Sequence, residues 1–332
     1  MALRWSAVRE DADALRAQPV DVEVSIVTLG ALDRLAVCVG GLAGACNGVS
    51  WRLTIIDNAP QRQDLDPILA AAPSTTVIRS EGRRGFGANH NLVLMPRIND
   101  GQARYVLVLN DDTELDPNAV AALVRYADAQ PDVGLVGARV RDASGRYESP
   151  RMPWPSLWQE AARAALPRLR RSASRSSGWL EGPCMLLRTT ALREVGPFDP
   201  AFFLFYEDAD LCLRMVRRGW RLGLAEEAAL VHHAHHTISR INWDAQVERQ
   251  VLRSQYLYFE KHHGRLAARA LSYFVRGAMA VRTAKMLIEA VACRDRAGAD
   301  EAGTLWALAR CHPGKPTLLE SEACRDAAAA AG

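Results

Sequence analysis

The sequence predicts an α/β fold whose central sheet is covered by helices on both faces. Short β-branched runs alternate with helical stretches through the first half of the chain, as in strand–helix–strand proteins. One run, at residues 105–110 (YVLVLN), is apolar almost throughout, which is typical of a strand buried on both faces of a sheet. In such sheets ligands bind beyond the carboxyl ends of the strands, so polar residues at those ends are candidates for function.

The first half of the chain supplies most of the predicted sheet. Strands are expected at residues 22–29, 53–57, 76–79 and 105–110. Helices are expected at residues 31–46, 88–98 and 117–129. The last of these opens at Pro117, because proline is favoured in the first turn of a helix.

The second half is predicted to mix strands with longer helices. Residues 149–177 are rich in Pro, Trp, Arg and Ser and are expected to form a long, partly helical insert. After it come a strand at residues 179–187, a helix from Thr189, a strand pair ending near Val231, and helices at 243–263 and 266–293. Residues 1–20 are expected to be an N-terminal extension and residues 296–332 a loosely ordered tail.

The composition is that of an ordinary globular protein from a reducing compartment. The 332 residues are 49% hydrophobic and 24% charged, and the net charge of +3 is too small to indicate nucleic-acid binding. Seven cysteines without a C-x-x-C pair favour neither a disulfide framework nor a zinc site. Residues 1–20 lack the apolar core of a signal peptide, and no uncharged apolar stretch approaches the ~18 residues that cross a bilayer. A cytoplasmic protein, soluble or peripheral on a membrane, is therefore predicted.

One acidic cluster follows the strand at residues 105–110. Asn110, Asp111 and Asp112 offer the oxygen ligands that Mg²⁺ and Mn²⁺ prefer. A metal at this place would neutralise the diphosphate of a nucleotide-sugar donor. A turn followed by a helix cap explains the same residues, since Asn and Asp are favoured in both.

A second acidic cluster follows an aromatic run at residues 202–206 (FFLFY). Glu207, Asp208 and Asp210 would lie in the first turn of a helix, where the helix dipole stabilises ionised acids. Helix capping explains one or two of these acids but not the aromatic residues that lead to them. An ionised Asp at the mouth of a cleft is suited to act as general base towards a sugar hydroxyl.

Three weaker motifs lie elsewhere along the chain. Asp57, at a strand end, could accept a hydrogen bond from a uracil or thymine ring or from a ribose hydroxyl. The glycines of residues 85–91 could let the backbone approach a ligand at a helix N-terminus. His232, in the HHAHH run at residues 232–236, could complete a metal shell. Polar turns explain all three motifs equally well, and a zinc site would need further ligands that no nearby cysteine supplies.

Seven segments, in order over residues 22–264, resemble family 2 glycosyltransferases with a GT-A fold, in particular bacterial rhamnosyltransferases that build surface polysaccharides. The segments are VSIVTLG (24–30), IIDNA (55–59), GFGANHN (85–91), VLNDDTEL (108–115), GWLEGPCMLLR (178–188), GPFDPAFFLFYEDADLCLRMVRRGW (196–220) and the His run. The resemblance implies a catalytic domain at residues 21–264 on one mixed sheet. Its Rossmann-like nucleotide-binding half would be residues 21–140 and its acceptor-binding half 141–264, followed by a helical region at 265–295.

The resemblance also implies a reaction and a set of site residues. The reaction would be inverting transfer of a sugar from dTDP-rhamnose or a UDP-sugar to a hydroxyl of a glycan or polyprenyl-linked acceptor. Asp208 would be the base, with Glu207 supporting it, and Asp112 would hold Mn²⁺ or Mg²⁺ with His232 or His233. The residues implied to contact the donor are Thr28, Asp57, Gly85, Asn91, Asn110 and Asp111. Those implied to border the acceptor are Trp179, Glu181 and Gly182.

Other hypotheses fit parts of the sequence. A nucleotidyltransferase would need a basic Gly-rich loop after the first strand, and residues 28–34 lack a convincing one. A non-catalytic carbohydrate-binding protein would have no use for both acidic clusters. The helix at residues 266–293 mixes large apolar residues with arginines. It is suited either to the inner face of the plasma membrane or to packing on the domain or in a dimer.

Overall fold

Four parallel strands from the first half of the chain form one side of the central sheet. The computed structural model describes residues 18–59, 61, 63–72, 74–80, 83–148, 150–165, 178–233, 243–293 and 306. Strand β1 (Val20–Thr28) lies between β2 (Trp51–Asp57) and β4 (Ala103–Asn110). Strand β3 (Thr76–Arg79) pairs with the outer side of β2. All four strands therefore direct their carboxyl ends to the same edge of the sheet.

The second half of the chain makes the sheet mixed. Strand β10 (Cys184–Arg188) runs antiparallel between β4 and β6 (Val133–Arg141). Strand β11 (Arg221–His232) lies parallel to β6 and antiparallel to the short edge strand β5 (Thr113–Leu115). The resulting order is β3-β2-β1-β4-β10-β6-β11-β5. Two short pairings complete it: β7 (Tyr147–Glu148) pairs with β6, and β8 (Arg151–Met152) with β9 (Trp179–Leu180).

Helices cover both faces of this sheet. The described helices are α1 (Leu32–Ala45), α2 (Asp66–Ala71), α3 (Phe86–Asp100), α4 (Ala119–Ala129), α5 (Leu157–Ala165), α6 (Thr189–Val195), α7 (Glu207–Arg217), α8 (Trp243–His263) and α9 (Arg265–Cys293). Leu107 of β4 packs in one hydrophobic core with α1 and α4, whereas its neighbour Val108 packs in the other with α3, α6, α7, α8 and α9. This alternation confirms that β4 is buried on both faces. Among the helices described, none combines the length and apolarity needed to cross a bilayer.

The predicted α/β class and the mixed sheet are confirmed, but four element predictions were wrong. Residues 179–187 form two strands, because β9 pairs with β8 whereas β10 enters the main sheet. Strand β6 was missed, and the strand pair near Val231 is one strand of 12 residues. Pro117 lies before the N-cap of α4 rather than in its first turn, since the cap is Asn118 with φ 64°. The predictions for residues 1–17, for residues 166–177 of the insert, for His235 and His236, and for almost all of the tail lie outside the described residues.

Candidate active site

Three residues implied to contact the donor lie side by side at the carboxyl edge of the parallel strands. The β1–β2 register places Thr28 opposite Asp57, and the β1–β4 register places Val27 opposite Asn110. The backbone N–H of Gly30 donates to Thr28 Oγ1 at 3.1 Å, which closes the turn after β1. The sequence could predict this neighbourhood because the ends of parallel strands meet at one edge.

Asp57 is held by a residue that the sequence analysis did not select. Its Oδ2 atom lies 2.6 Å from Nη1 of Arg79, and its Oδ1 accepts the N–H of Ala59 at 3.2 Å. Asp57 is buried, whereas the Arg79 side chain is 43% exposed. A ligand N–H that approached Asp57 would therefore compete with Arg79. The position of Arg79 could have indicated this contact, because Arg79 is the last residue of β3 and pairs with Asp57 in the parallel register.

Gly85 and Asn91, two residues implied to contact the donor, both contact the segment that leads to α7. A Cβ atom at Gly85 would lie 2.7 Å from the Cα of Phe203 and closer still to its carbonyl oxygen. The amide of Asn91 donates to the carbonyl of Phe198 at 2.8 Å and accepts the N–H of the same residue at 3.1 Å. Both residues thus contact the backbone of the segment that precedes the second acidic cluster.

Asp112 and His232 approach each other where β5 meets the end of β11. Asp112 Oδ1 lies 3.3 Å from His232 Nε2, and Asn110 Nδ2 lies 3.4 Å from the same nitrogen. His233 is directed elsewhere, with Nε2 3.5 Å from Glu114, because successive residues of a strand face opposite sides. Burial raises the pKa of Asp112, but the interaction with His232 outweighs it, so the pKa lies below its usual value.

The donor atoms around Asp112 suit a divalent metal that is completed by a substrate. Asn110 Oδ1 is buried and has no hydrogen-bond partner among the described residues, and the buried Asp112 Oδ1 has the ion-pair contact with His232 at 3.3 Å. No group of three or more His, Cys, Asp or Glu side chains in the described part of the chain is arranged to hold a metal. A carboxylate, an imidazole and an amide oxygen fit Mn²⁺ or Mg²⁺, which commonly take their remaining ligands from substrate phosphates and water.

The second acidic cluster begins α7 after an unusual turn. Phe205 and Tyr206 both have left-handed backbone conformations, with φ values of 69° and 66°, which are uncommon for bulky residues. As predicted, Glu207, Asp208 and Asp210 lie in the first turn of the helix. The N–H of Ala209 donates to Asp208 Oδ1 at 2.8 Å. The turn therefore sets the direction in which this set of acids is presented.

The three acids of α7 have different environments. Burial, followed by the charge of Asp208, raises the pKa of Glu207 well above its usual range, which favours the protonated form. Asp210 is also buried, and burial alone would raise its pKa. The hydrogen bond from His262 and the charges of Arg214 and Lys261 outweigh burial and lower the pKa of Asp210 to about 2. Asp208 is only partly buried.

Asp210 serves the structure rather than a ligand. His262 Nε2 and Lys261 Nζ each lie 2.7 Å from its Oδ1, and Arg214 Nε donates to its Oδ2 at 2.8 Å. Arg214 also donates to the carbonyl of Pro197 at 2.8 Å. This network joins α7 to the end of α8 and to the loop before the aromatic run, which sequence spacing alone could not show.

One short turn contacts a residue of each acidic cluster. The N–H of Asn110 donates to the carbonyl of Pro183 at 3.0 Å. A Cβ atom at the preceding residue, Gly182, would lie 3.6 Å from Asp208 Oδ2. The short turn between β9 and β10 therefore contacts the end of β4 through Pro183 and the carboxylate of α7 through Gly182.

The other two residues implied to border the acceptor lie beside the same turn. The Trp179 ring is buried in the core that contains α7, and its Nε1 donates to the carbonyl of Pro153 at 3.2 Å. The N–H of Glu181 donates to the carbonyl of Pro150 at 2.9 Å. Trp179 thus supports the turn from inside, whereas Gly182 lies against Asp208.

The sheet order and the position of both acidic clusters define the class of fold as GT-A, a parallel nucleotide-binding half joined to an acid-bearing helix through antiparallel β10. Residues 19–257 match the family model described as glycosyltransferase like family 2. The chain belongs to this family.

Relatives and solved structures agree with the family. Over 200 residues the chain is 31% identical to an N-acetylglucosaminyl-diphospho-decaprenol L-rhamnosyltransferase of Mycobacterium tuberculosis. The matched region is 55% of this chain, and this chain spans 64% of the relative's length. A mannosyltransferase from Pyrobaculum calidifontis in complex with GDP-Man and Mn²⁺ superposes with a TM-score of 0.50 at 15% identity, covering 95% of this chain and 87% of that chain. S. aureus TarS 1-349 in complex with UDP-GlcNAc superposes with a TM-score of 0.51 at 12% identity. The superposition covers 87% of this chain and 79% of that chain. These structures share the fold.

Proposed function

We propose that the protein is an inverting glycosyltransferase that uses a nucleoside-diphosphate sugar. The observation that carries the proposal is the turn at Gly182 and Pro183, which touches both acidic clusters. In a donor bound at this turn, the diphosphate would lie near Asp112. The attacking hydroxyl of the acceptor would lie near Asp208. That is the arrangement a single displacement requires.

In the proposed reaction Asp208 is the general base. Its carboxylate accepts the proton of the acceptor hydroxyl as that oxygen forms a bond to the anomeric carbon, and the bond to the nucleoside diphosphate breaks. Burial raises the pKa of Glu207, and a protonated Glu207 would donate a hydrogen bond and add no negative charge next to the incoming hydroxyl. Mn²⁺ or Mg²⁺ held by Asp112 and His232 would neutralise charge on the departing diphosphate.

The proposed donor is dTDP-rhamnose or a UDP-sugar, and the proposed acceptor is a sugar hydroxyl on a glycan or a polyprenyl-diphosphate carrier. The rhamnosyltransferase name of the Mycobacterium tuberculosis relative supports both choices, and its acceptor is a diphospho-decaprenol lipid. The contact between Arg79 and Asp57 supports a pyrimidine base, because the pair would offer its ring both an acceptor and a donor of hydrogen bonds. Transfer to such carriers would place the protein in cell-surface polysaccharide synthesis.

A donor panel tests this proposal directly. The protein is incubated with dTDP-rhamnose, UDP-sugars and GDP-mannose with Mn²⁺, and thermal shift and release of nucleoside diphosphate are measured. We expect stabilisation and slow release with one donor class, loss of release in EDTA and recovery when Mn²⁺ or Mg²⁺ is added in excess. Conversion of the donor and added pyrophosphate to a nucleoside triphosphate and a sugar 1-phosphate would instead indicate a nucleotidyltransferase. Donor binding with no release, even with glycan acceptors, would indicate a non-catalytic protein.

A further inference from the structure

Helix α9 is apolar on two opposite faces. One face carries Ala268, Leu271 and Val275, which are buried against the rest of the protein. The other face exposes four large apolar side chains: Leu266 (82% exposed), Tyr273 (71%), Val281 (71%) and Ile288 (70%). These four recur at intervals of seven or eight residues, which is two helical turns, so they form one exposed stripe ~33 Å long.

Basic side chains border the exposed stripe. The helix carries five of them and a single acid: Arg265, Arg269, Arg276, Arg282, Lys285 and Glu289. At about 100° per residue, Arg269 and Arg276 lie on one side of the stripe and Lys285 on the other. Glu289 lies 3.7 Å from Lys285, and Glu260 of α8 lies 3.3 Å from Arg265, so two acids are paired with this set of five cations. The positive charge is therefore concentrated at the edges of an exposed apolar surface.

We propose that the exposed stripe of α9 docks on a bilayer surface that contains anionic lipids. A basic amphipathic helix of this kind lies in the headgroup region, with its apolar side chains in the acyl boundary and its cations on lipid phosphates. Tyr273 and the half-exposed Phe274 suit that boundary, where aromatic rings concentrate. A second copy of the chain is a poorer partner, because two such stripes would bring their arginines together.

A helix that packs against α9 also exposes a large aromatic side chain. Helix α5 packs against α9 and exposes Trp158, an 87% exposed indole. On the inner side, α9 shares its hydrophobic core with Trp179 and Tyr206, which lie next to the turn at Gly182 and to Asp208. Docking would therefore place the proposed acceptor side near the lipid surface. The inference rests in this respect on the proposed function, but membrane binding itself can be measured without any transfer.

Vesicle co-sedimentation tests the proposal with matched variants of the full chain. We expect the wild type to sediment with vesicles of phosphatidylcholine and phosphatidylglycerol and much less with phosphatidylcholine alone. The double variant Val281→Asp/Ile288→Asp should bind the anionic vesicles at least about tenfold more weakly, since two apolar groups are lost from the boundary. The control Val37→Asp/Tyr147→Asp, at similarly exposed positions elsewhere, should bind as the wild type does.

A charge series keeps the test decisive if the apolar variants fold poorly. Arg265→Gln/Arg269→Gln/Lys285→Gln should also lower binding at least about tenfold, whereas Arg125→Gln/Arg146→Gln/Arg221→Gln, at exposed positions on other elements, should not. Absence of wild-type binding to anionic vesicles would overturn the proposal. So would self-association in sedimentation equilibrium that only the α9 variants abolish. Release of nucleoside diphosphate with a soluble acceptor should be unchanged in these variants, so its complete absence would count against the proposed function alone.

Discussion

Glu207 and Asp208 are neighbours in sequence but lie in different environments. Glu207 is buried beside the Asp208 charge, and both effects raise its pKa. Asp208 is partly exposed and faces the open side of Gly182. Two adjacent carboxyl groups in one site separate into an acid and a base in this way, because only one can ionise at low cost.

Replacing Glu207 by Gln tests this division at the residue scale. A neutral amide has nearly the shape of the protonated acid, so we expect the Glu207→Gln variant to lose no more than about tenfold in kcat, against roughly 10²–10⁴-fold for loss of a general base. Initial rates of nucleoside diphosphate release at saturating donor measure this. A loss as large as that of Asp208→Asn would mean that Glu207 works in its ionised form.

The residues of the site could be proposed from motif spacing, but their states could not. Spacing and resemblance pointed to Asp112, Asp208 and His232. The raised pKa of Glu207 depends on burial, and the structural role of Asp210 depends on His262 of α8, 52 residues further along the chain. Burial is a property of the packed molecule, which explains why the acidic sequence itself did not distinguish the three carboxylates.

At the element scale, the loop before α3 and the aromatic run before α7 act as one unit. The backbone of Gly85 lies against the backbone of Phe203, and the N–H of Phe86 donates to the carbonyl of Phe203 at 2.8 Å. The amide of Asn58 adds two hydrogen bonds to the backbone of Arg84, at 3.0 and 3.1 Å. The loop before α3 thus fixes the position of the turn from which Asp208 projects.

A methyl group at Gly85 should disturb this unit. The Gly85→Ala Cβ would overlap the Phe203 backbone, which cannot rotate away as a side chain would. We expect a loss of stability of about 1–3 kcal/mol in urea unfolding and a fall in kcat of about 10²-fold from misplacement of Asp208.

The matched control is Gly40→Ala in α1, where a Cβ would have nothing within 4 Å. In a helix alanine is favoured over glycine, so this variant should be at least as stable as the wild type and equally active. Wild-type stability and rate in Gly85→Ala would show that the two segments are not coupled.

Most elements with a clear periodicity were predictable, and the missed strand shows the limit. Strand β6 contains Gly134 and Gly137, which weaken a strand pattern read from sequence alone. The structure supplies the reason for Gly134, since a Cβ there would lie 3.0 Å from Ala191 and 3.1 Å from Trp220. Those neighbours are remote in sequence, so the need for glycine was not visible in the local pattern.

At the scale of the whole molecule, acid should weaken the fold through His90. Nδ1 of His90 lies 2.8 Å from Ser25 Oγ in the core, and burial lowers the pKa of His90 from 6.5 to about 3. In the unfolded chain His90 binds a proton near pH 6.5, whereas in the folded chain it stays neutral. The stability held by neutral His90 is therefore complete above pH 6.5 and is lost as the pH falls towards 3.

Urea unfolding at pH 7 and pH 5 measures this effect. We expect His90 to account for about 2 kcal/mol of the stability that the wild type loses between these pH values. At pH 7 the His90→Gln variant should be less stable than the wild type. Between pH 7 and pH 5 its free energy of unfolding should fall by about 2 kcal/mol less than that of the wild type. His233→Gln, at a partly exposed histidine, should follow the wild type. An equal loss in His90→Gln would assign the acid sensitivity to other groups.

The meeting of distant segments is the part that sequence could only propose. Asn110 and Pro183 are 73 residues apart, yet their backbone hydrogen bond joins the end of β4 to the turn whose Gly182 lies against Asp208. It forms because β10 inserts antiparallel beside β4, with Cys184 opposite Leu109. Resemblance to a family supplied the expectation of convergence, and the register of these two strands supplies its physical basis.

The central claim is that Asp112 and Asp208 act on opposite sides of one donor sugar. Donor affinity by calorimetry, measured together with the transfer rate in Asp112→Asn and Asp208→Asn, tests it most directly. We predict that Asp112→Asn weakens donor binding in Mn²⁺, whereas Asp208→Asn binds donor within a few-fold of wild type and transfers roughly 10²–10⁴ times more slowly. Transfer near the wild-type rate in Asp208→Asn, or unchanged donor binding in Asp112→Asn, would contradict the claim.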